Sequence, residues 1–204
     1  MPRTKSTIAA DDLRSTLLDR AADLLAHEGP QALTTRRIAA AADTSTQAIY
    51  TLFGGKEGVV RAMYREGFRR LGAKLAQAPR TSDPVADITE LGRAYRAAAL
   101  ENPNFYDVMF GRPVPEFRCT DDDRAESLAT FTVLVDAVQR ALDQGRLQGG
   151  TAKEIATHLW ATVHGYVTLE LAGYRASGDR DPDAHYESAL AYAIAPFLTT
   201  PPGA

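Results

Sequence analysis

Ser45, Thr46, Gln47, Ala48 and Tyr50 fall within one short stretch. Their side chains offer hydroxyls, an amide and a phenol, and carry no charge. Together these groups suit recognition of a surface by hydrogen bonds. A glutamine can pair two-pronged with adenine, and a threonine can meet a thymine methyl or a base edge. Ala48 is small enough to let a helix lie close to bases. Tyr50, one turn further on, presents a hydroxyl suited to a phosphate oxygen. Thr34 and Arg36 upstream, and Lys56 downstream, add three more groups that suit phosphate.

Recognition needs elements that hold these groups in place. Thr34 is a good N-cap, and Ile38, Ala39 and Ala42 follow on one apolar stripe. Asp43-Thr44 breaks the run. Ser45 restarts it as a second N-cap, and Ile49, Leu52 and Phe53 form the next stripe. Gly54-Gly55 ends that helix, and Lys56 opens another, where its ammonium and the free N–H groups both favour an anion. Two short helices joined by a tight turn make a helix-turn-helix, whose second helix enters the DNA major groove. Taken singly, Thr34 and Ser45 read as plain caps and Tyr50 as core. Taken as a set at this spacing, they favour DNA contact. Ile49 and Phe53 are assigned to the core. Arg3 and Lys5, ahead of the first helix, read equally as a basic arm or a loose tail.

Gly29, Thr34, Ile38-Ala39, Ala42, Ser45, Ile49-Tyr50, Phe53 and Lys56-Glu57 resemble the TetR-type repressor family over roughly residues 10 to 60. Two positions depart from the pattern. The turn carries Asp43-Thr44 where the family usually has Gly-Val, and Leu52 stands where it often has His. Asp tolerates a left-handed backbone better than most residues, so the turn can survive. The phosphate contact associated with the His is not carried over.

Charge agrees with a polyanionic partner for the N-terminal part. Residues 1 to 80 hold 13 Lys/Arg against 8 Asp/Glu, a net of +5, and the remainder holds 10 against 18, a net of −8. A basic N-terminal region suits nucleic acid, and the acidic remainder would be repelled by it. With 204 residues and 45% apolar content the chain can bury a real core. Cys119 is the single cysteine, which forbids an internal disulfide and fits a reducing cytosol. The N-terminus lacks the apolar core of a signal peptide, and no run suits a membrane span, so a cytoplasmic protein is expected. No phosphate loop, nucleophile elbow or HExxH string is present, and His158 and His164 face different sides of one helix. Neither an enzyme nor a cofactor is expected.

The pattern is helical throughout. A first helix runs through Leu13, Leu17, Ala21 and Leu24, and Gly29 suits its C-cap. After the two short helices, residues 56 to 77 form a long amphipathic helix, and residues 78 to 84 mark a boundary. Asp83-Pro84 opens a helix lined by Ile88, Leu91, Tyr95 and Ala99. A short apolar piece and a proline-bearing loop follow. Asp121-Asp122-Asp123 reads as the start of a helix through Leu128, Phe131, Val135, Val138 and Leu142, favoured there by the helix dipole. Two more helices cover roughly 151 to 175 and 181 to 198. The expected fold is all-α, about nine helices: a three-helix DNA-binding domain over residues 1–56, and a helical domain over 57–204 whose first helix, 57–77, is the connector.

Residues 160 to 171 are the second informative string. Its W-x-x-x-H-G pattern, with the earlier NPNFYDVMFG, resembles a TetR subgroup named for Trp-His-Gly in its C-terminal domain. Trp160, His164, Val167, Leu171 and Tyr174 share one helical face. Thr157, Ala161, Gly165, Thr168 and Ala172 form a neighbouring face of small residues that permits close helix approach. That face, with Tyr186, Leu190, Ile194 and Phe197 of the last helix, is the expected homodimer contact; packing within one subunit is the competing reading. The resemblance implies a repressor that leaves a palindromic operator when a small molecule binds inside the C-terminal bundle. Tyr95, Phe105, Met109, Phe110, Phe131, Trp160 and His164 are the candidate lining; plain core is their alternative role. The alternative to the whole reading is a helical interaction module, or a small-molecule-binding protein without DNA activity.

Overall fold

The structure, a computed structural model, describes residues 5–174 and 181–199, with side chains from residue 11 onward. Nine α-helices lie among the described residues: α1 (Lys5–Glu28), α2 (Thr35–Ala41), α3 (Thr46–Phe53), α4 (Lys56–Leu75), α5 (Pro84–Glu101), α6 (Pro103–Tyr106), α7 (Asp121–Asp143), α8 (Ala152–Leu171) and α9 (Pro182–Ile194). One π-helical turn, Asp107–Gly111, continues α6. No strand occurs among these residues, and the all-α expectation holds. No helix among them is long and apolar enough to cross a membrane. Arg3 lies outside the described residues. Lys5 is the first residue of α1, not part of an arm ahead of it.

The chain divides into two compact units. The first joins residues up to Arg69 with Asn102–Ser127; the second joins Arg70–Glu101 with Leu128 onward.

In the first unit the core is made by Leu17 and Leu18 of α1, Leu33, Ile38 of α2, Ile49 of α3, and Val59 and Met63 of α4, all fully buried. Burying each such side chain contributes about 1.5–3 kcal/mol, which holds the short helices that propensity alone could not. Asp43 adopts φ 49°, the left-handed conformation the turn requires. Gly54 ends α3 in the same region, with its N–H on the Tyr50 carbonyl at 3.0 Å. Gly58 is fixed by a closer contact. A Cβ there would lie 1.6 Å from the Phe53 carbonyl oxygen, so the first turn of α4 touches the last turn of α3 through backbone. Asn104 Nδ2 donates to Asp23 Oδ1 at 3.0 Å and ties α6 to α1.

In the second unit α5, α8 and α9 pack together. Ile88, Leu91, Tyr95 and Ala99 of α5 are buried, as the spacing predicts. A Cβ on Gly92 would stand 2.5 Å from Leu190 Cδ2, and the Tyr186 hydroxyl donates to the Gly92 carbonyl at 2.8 Å. The apolar face of α9, Tyr186, Leu190 and Ile194, is therefore core of the same chain, and Phe197 is half-buried. This corrects the assignment of Tyr186, Leu190 and Ile194 to a dimer contact: periodicity identifies an apolar face but not the neighbour that covers it. Leu128, the first residue of the periodic run along α7, is 59% exposed.

Charged clamps complete this unit. Arg96 bonds both oxygens of Glu170 at 2.8 Å and Asp183 at 2.7 Å, with its guanidinium over the Tyr186 ring. Arg93 grips Glu187 at 2.7 and 2.6 Å. Asp87 is buried; burial would raise its pKa, but the hydrogen bonds from Arg140 and Thr81 outweigh that and hold it below the usual carboxylate range.

Candidate nucleic-acid interface

The interface is built by two capped helix starts. The Thr34 hydroxyl accepts from the Arg37 N–H at 3.2 Å, and the Ser45 hydroxyl accepts from the Ala48 N–H at 3.3 Å. Each cap satisfies a backbone donor that a helix start leaves open, and so fixes where the helix begins. With α3 started at Thr46, Ile49 points wholly into the core while Ser45, Thr46, Gln47 and Tyr50 are exposed and Ala48 is half-buried. Tyr50 is 54% exposed, a large fraction for an aromatic residue in a tight three-helix unit. Gln47 Nε2 reaches Thr51 Oγ1 at 3.5 Å, so Thr51 lies on the same exposed face. Spacing alone passed over Thr51, although it sits one helical turn after Gln47.

Arg36 and Arg37 divide their roles. Arg37 donates to both carboxylate oxygens of Glu28, at 2.7 and 2.6 Å, and pins the start of α2 to the end of α1. Arg36 is exposed and has no partner among the described residues. Lys56 is exposed at the first position of α4, with one long bond from Nζ to the Pro30 carbonyl at 3.5 Å. Phe53, expected in the core, is half-buried, and the Arg14 guanidinium covers its ring at 5.4 Å from the centroid.

The arrangement presents neutral hydrogen-bonding groups on α3 and cationic or hydroxyl groups on α2 and at the start of α4. Neutral donors and acceptors of this kind suit base edges, and cations and hydroxyls suit phosphates.

The seven residues expected to line a small-molecule pocket separate into two groups. In the second unit, the Tyr95 hydroxyl meets His164 Nδ1 at 3.0 Å, Trp160 stacks near His164 with centroids 5.6 Å apart, and Phe131 lies 5.9 Å from Trp160. Burial lowers the His164 pKa below its ordinary value and so favours the neutral imidazole. Phe105, Met109 and Phe110 belong to the first unit. Phe105 is buried, while Met109 and Phe110 line a cavity of about 410 Å³.

The carboxylate run 121–123 is also more than a helix start. Asp121 and Asp122 are exposed, but Asp123 is fully buried and takes bonds from Arg61 and from Arg65 Nε at 2.6 Å, both on α4. It also accepts the Thr120 N–H at 2.9 Å. Burial would raise the Asp123 pKa; the Thr120 and arginine contacts prevail and bring it down to about 2. The signal in the sequence was Arg61 and Arg65, four apart on one face of a helix. Among the described residues no group of three or more His, Cys, Asp or Glu could hold a metal ion.

Two family models match this chain. Residues 17–63 match the one described as bacterial regulatory proteins, tetR family, and residues 88–192 match the tetracyclin repressor-like C-terminal domain. The uncharacterized HTH-type transcriptional regulator YvkB of Bacillus subtilis (strain 168) is 25% identical over 182 residues, covering 89% of this chain and 93% of that one. A solved structure of unknown function from Rhodococcus sp. RHA1 is 27% identical with a TM-score of 0.78, over 92% of this chain and 96% of its own. NalD, the secondary repressor of the MexAB-OprM multidrug efflux pump in Pseudomonas aeruginosa, shares the fold, with a TM-score of 0.68 and 19% identity over 94% of this chain and 98% of its own.

Proposed function

Because the chain belongs to the TetR family of bacterial regulators, we propose that this DNA-binding transcription regulator is a ligand-responsive repressor. In this reading it binds a palindromic operator as a homodimer and is released by a small-molecule effector. Residues 1–56 carry DNA binding; residues 57–204 carry effector binding and dimerisation, with 57–77 as the connector. The carrying observation is the exposed face of α3, where Thr46, Gln47 and Tyr50 point outward while Ile49 is fully buried. Gln47 and Thr46 are the base readers. Ala48 permits close approach, and Thr34, Arg36, Ser45, Tyr50 and Lys56 position the helix on phosphates.

Exposure supports the dimer contact on the last two helices. Thr157, Ala161, Thr168 and Ala172 of the α8 side are exposed, and a Cβ on Gly165 would meet nothing within 4 Å. Leu169 and Tyr192 are 53% and 74% exposed, which is costly for large apolar surface unless a second copy covers it. Two recognition helices related by a two-fold axis read half-sites about one helical turn apart. An effector releases DNA only by binding one conformation better than the other. The Tyr95–His164 pair with Trp160 and Phe131 gives that bundle a polar point in an aromatic wall, and the W-x-x-x-H-G resemblance rests on the same residues.

The test is a gel shift with the DNA immediately upstream of the chain's own gene, with and without added metabolites. A retained fragment, lost on addition of one metabolite, is expected. No retention at low salt sinks the reading. Ala161→Arg should give a monomer by sedimentation and lose retention with it.

A further inference from the structure

We propose that the cavity of the first unit binds an amphipathic anion: a molecule with an apolar body and a carboxylate head. This deepens the effector response proposed above and rests on it for any consequence on DNA, whereas the binding itself does not. The cavity measures about 410 Å³, within the range of small-molecule sites. Its apolar lining comes from Val60 and Tyr64 of α4, Met109 and Phe110 of the π-turn, and Val114 and Phe117 of the following loop. Packing fixes these walls. Tyr64 packs with its ring tilted against Phe117, centroids 5.6 Å apart, and Phe68 stands between Tyr64 at 5.0 Å and Phe110 at 5.7 Å. Asp123 holds the start of α7 to Arg61 and Arg65 of α4, so the loop carrying Phe117 is anchored beside its helix.

The polar part of the lining has one sign. Arg112, Arg118 and Arg124 contribute to it, and no Asp or Glu does. Arg118 bonds only the carbonyls of Pro115 and Phe117, and Arg112 has no partner among the described residues. Arg124 pairs with Asp121 at 2.7 Å, but that carboxylate is 98% exposed and readily exchanged for another. A guanidinium fork matches a carboxylate two-pronged. A neutral apolar ligand leaves the arginines to water, and a cation is repelled. Val60 is four residues from Lys56, so the ligand would touch α4 one turn from the candidate phosphate contact.

Cys119 supplies the test, because the chain's single thiol lies in this lining and is half-buried. Alkylation of the full chain by iodoacetamide is followed with and without decanoate below its micelle concentration, alongside titration calorimetry. One decanoate per chain should bind and slow alkylation about tenfold; 1-decanol, with the same tail, should bind about tenfold more weakly for want of the charged hydrogen bonds. Arg112→Gln combined with Arg118→Gln, both on the surface, should keep the thermal midpoint and lose the protection. Protection of Cys119 supports the site whether or not DNA is released. Absence of binding, heat without protection, equal binding of decanol, or indifference to the arginine changes overturns it. Operator release by decanoate without protection overturns the site while leaving the effector reading standing.

Discussion

The arginines of α5 and Arg36 of α2 are put to opposite uses. Arg93 and Arg96 in the bundle are each held by two carboxylates, and Arg96 retains only 14% of its side-chain exposure. Arg36 is exposed with no partner among the described residues, while its sequence neighbour Arg37 is locked to Glu28. A guanidinium tied down on both sides specifies how helices meet. One left in water beside a recognition helix keeps its donors for an anion from outside. The contrast teaches that charge type says little until its partners are known.

Breaking the clamped side should cost most. Arg96→Met leaves Glu170 and Asp183 without their cation, and should lower stability by about 2–4 kcal/mol, read as a fall in thermal midpoint. If operator affinity per folded molecule falls as well, the separation of roles fails. Asp123→Asn removes the charge that holds Arg61 and Arg65, at about 2 kcal/mol. Its sign with pH follows from its depressed pKa. The stabilisation is present in full above the ordinary carboxylate value of about 4 and disappears as pH falls toward about 2. Acid unfolding of the wild type should therefore show a component that the Asn variant lacks.

The open side should respond in affinity, not in stability. Gln47→Ala is expected to relax preference at one base position, at about 1–3 kcal/mol, with an unchanged melting curve. Competition among operator variants measures it. Arg36→Ala should act least: a uniform weakening across sequences, with the salt slope reduced by about 1. A sequence-dependent effect would make Arg36 a reader instead.

What could be read in advance follows the range of the forces. The two short helices were legible because Thr34, Asp43, Ser45 and Gly54 act within their own turn. The role of Asp123 was not, since its arginines lie 58 and 62 residues away and a carboxylate run looks the same at any helix start. The cavity escaped for a related reason: the loop from Arg112 to Cys119 has no periodicity to interpret. The α9 face failed differently. Its apolar spacing was right, but it takes the close approach of Gly92 to Leu190 and the Tyr186–Gly92 hydrogen bond to show that α5 covers it. The candidate lining split between two units because helical spacing cannot say which unit a segment joins.

The contact at Gly58 has a mechanical meaning. Side chains between two helices act as springs, able to switch rotamer and absorb a displacement. None stands between the Phe53 carbonyl and the first turn of α4. The joint between α3 and its successor is thus short of slack, and a tilt imposed on the start of α4 should be felt directly by the last turn of α3.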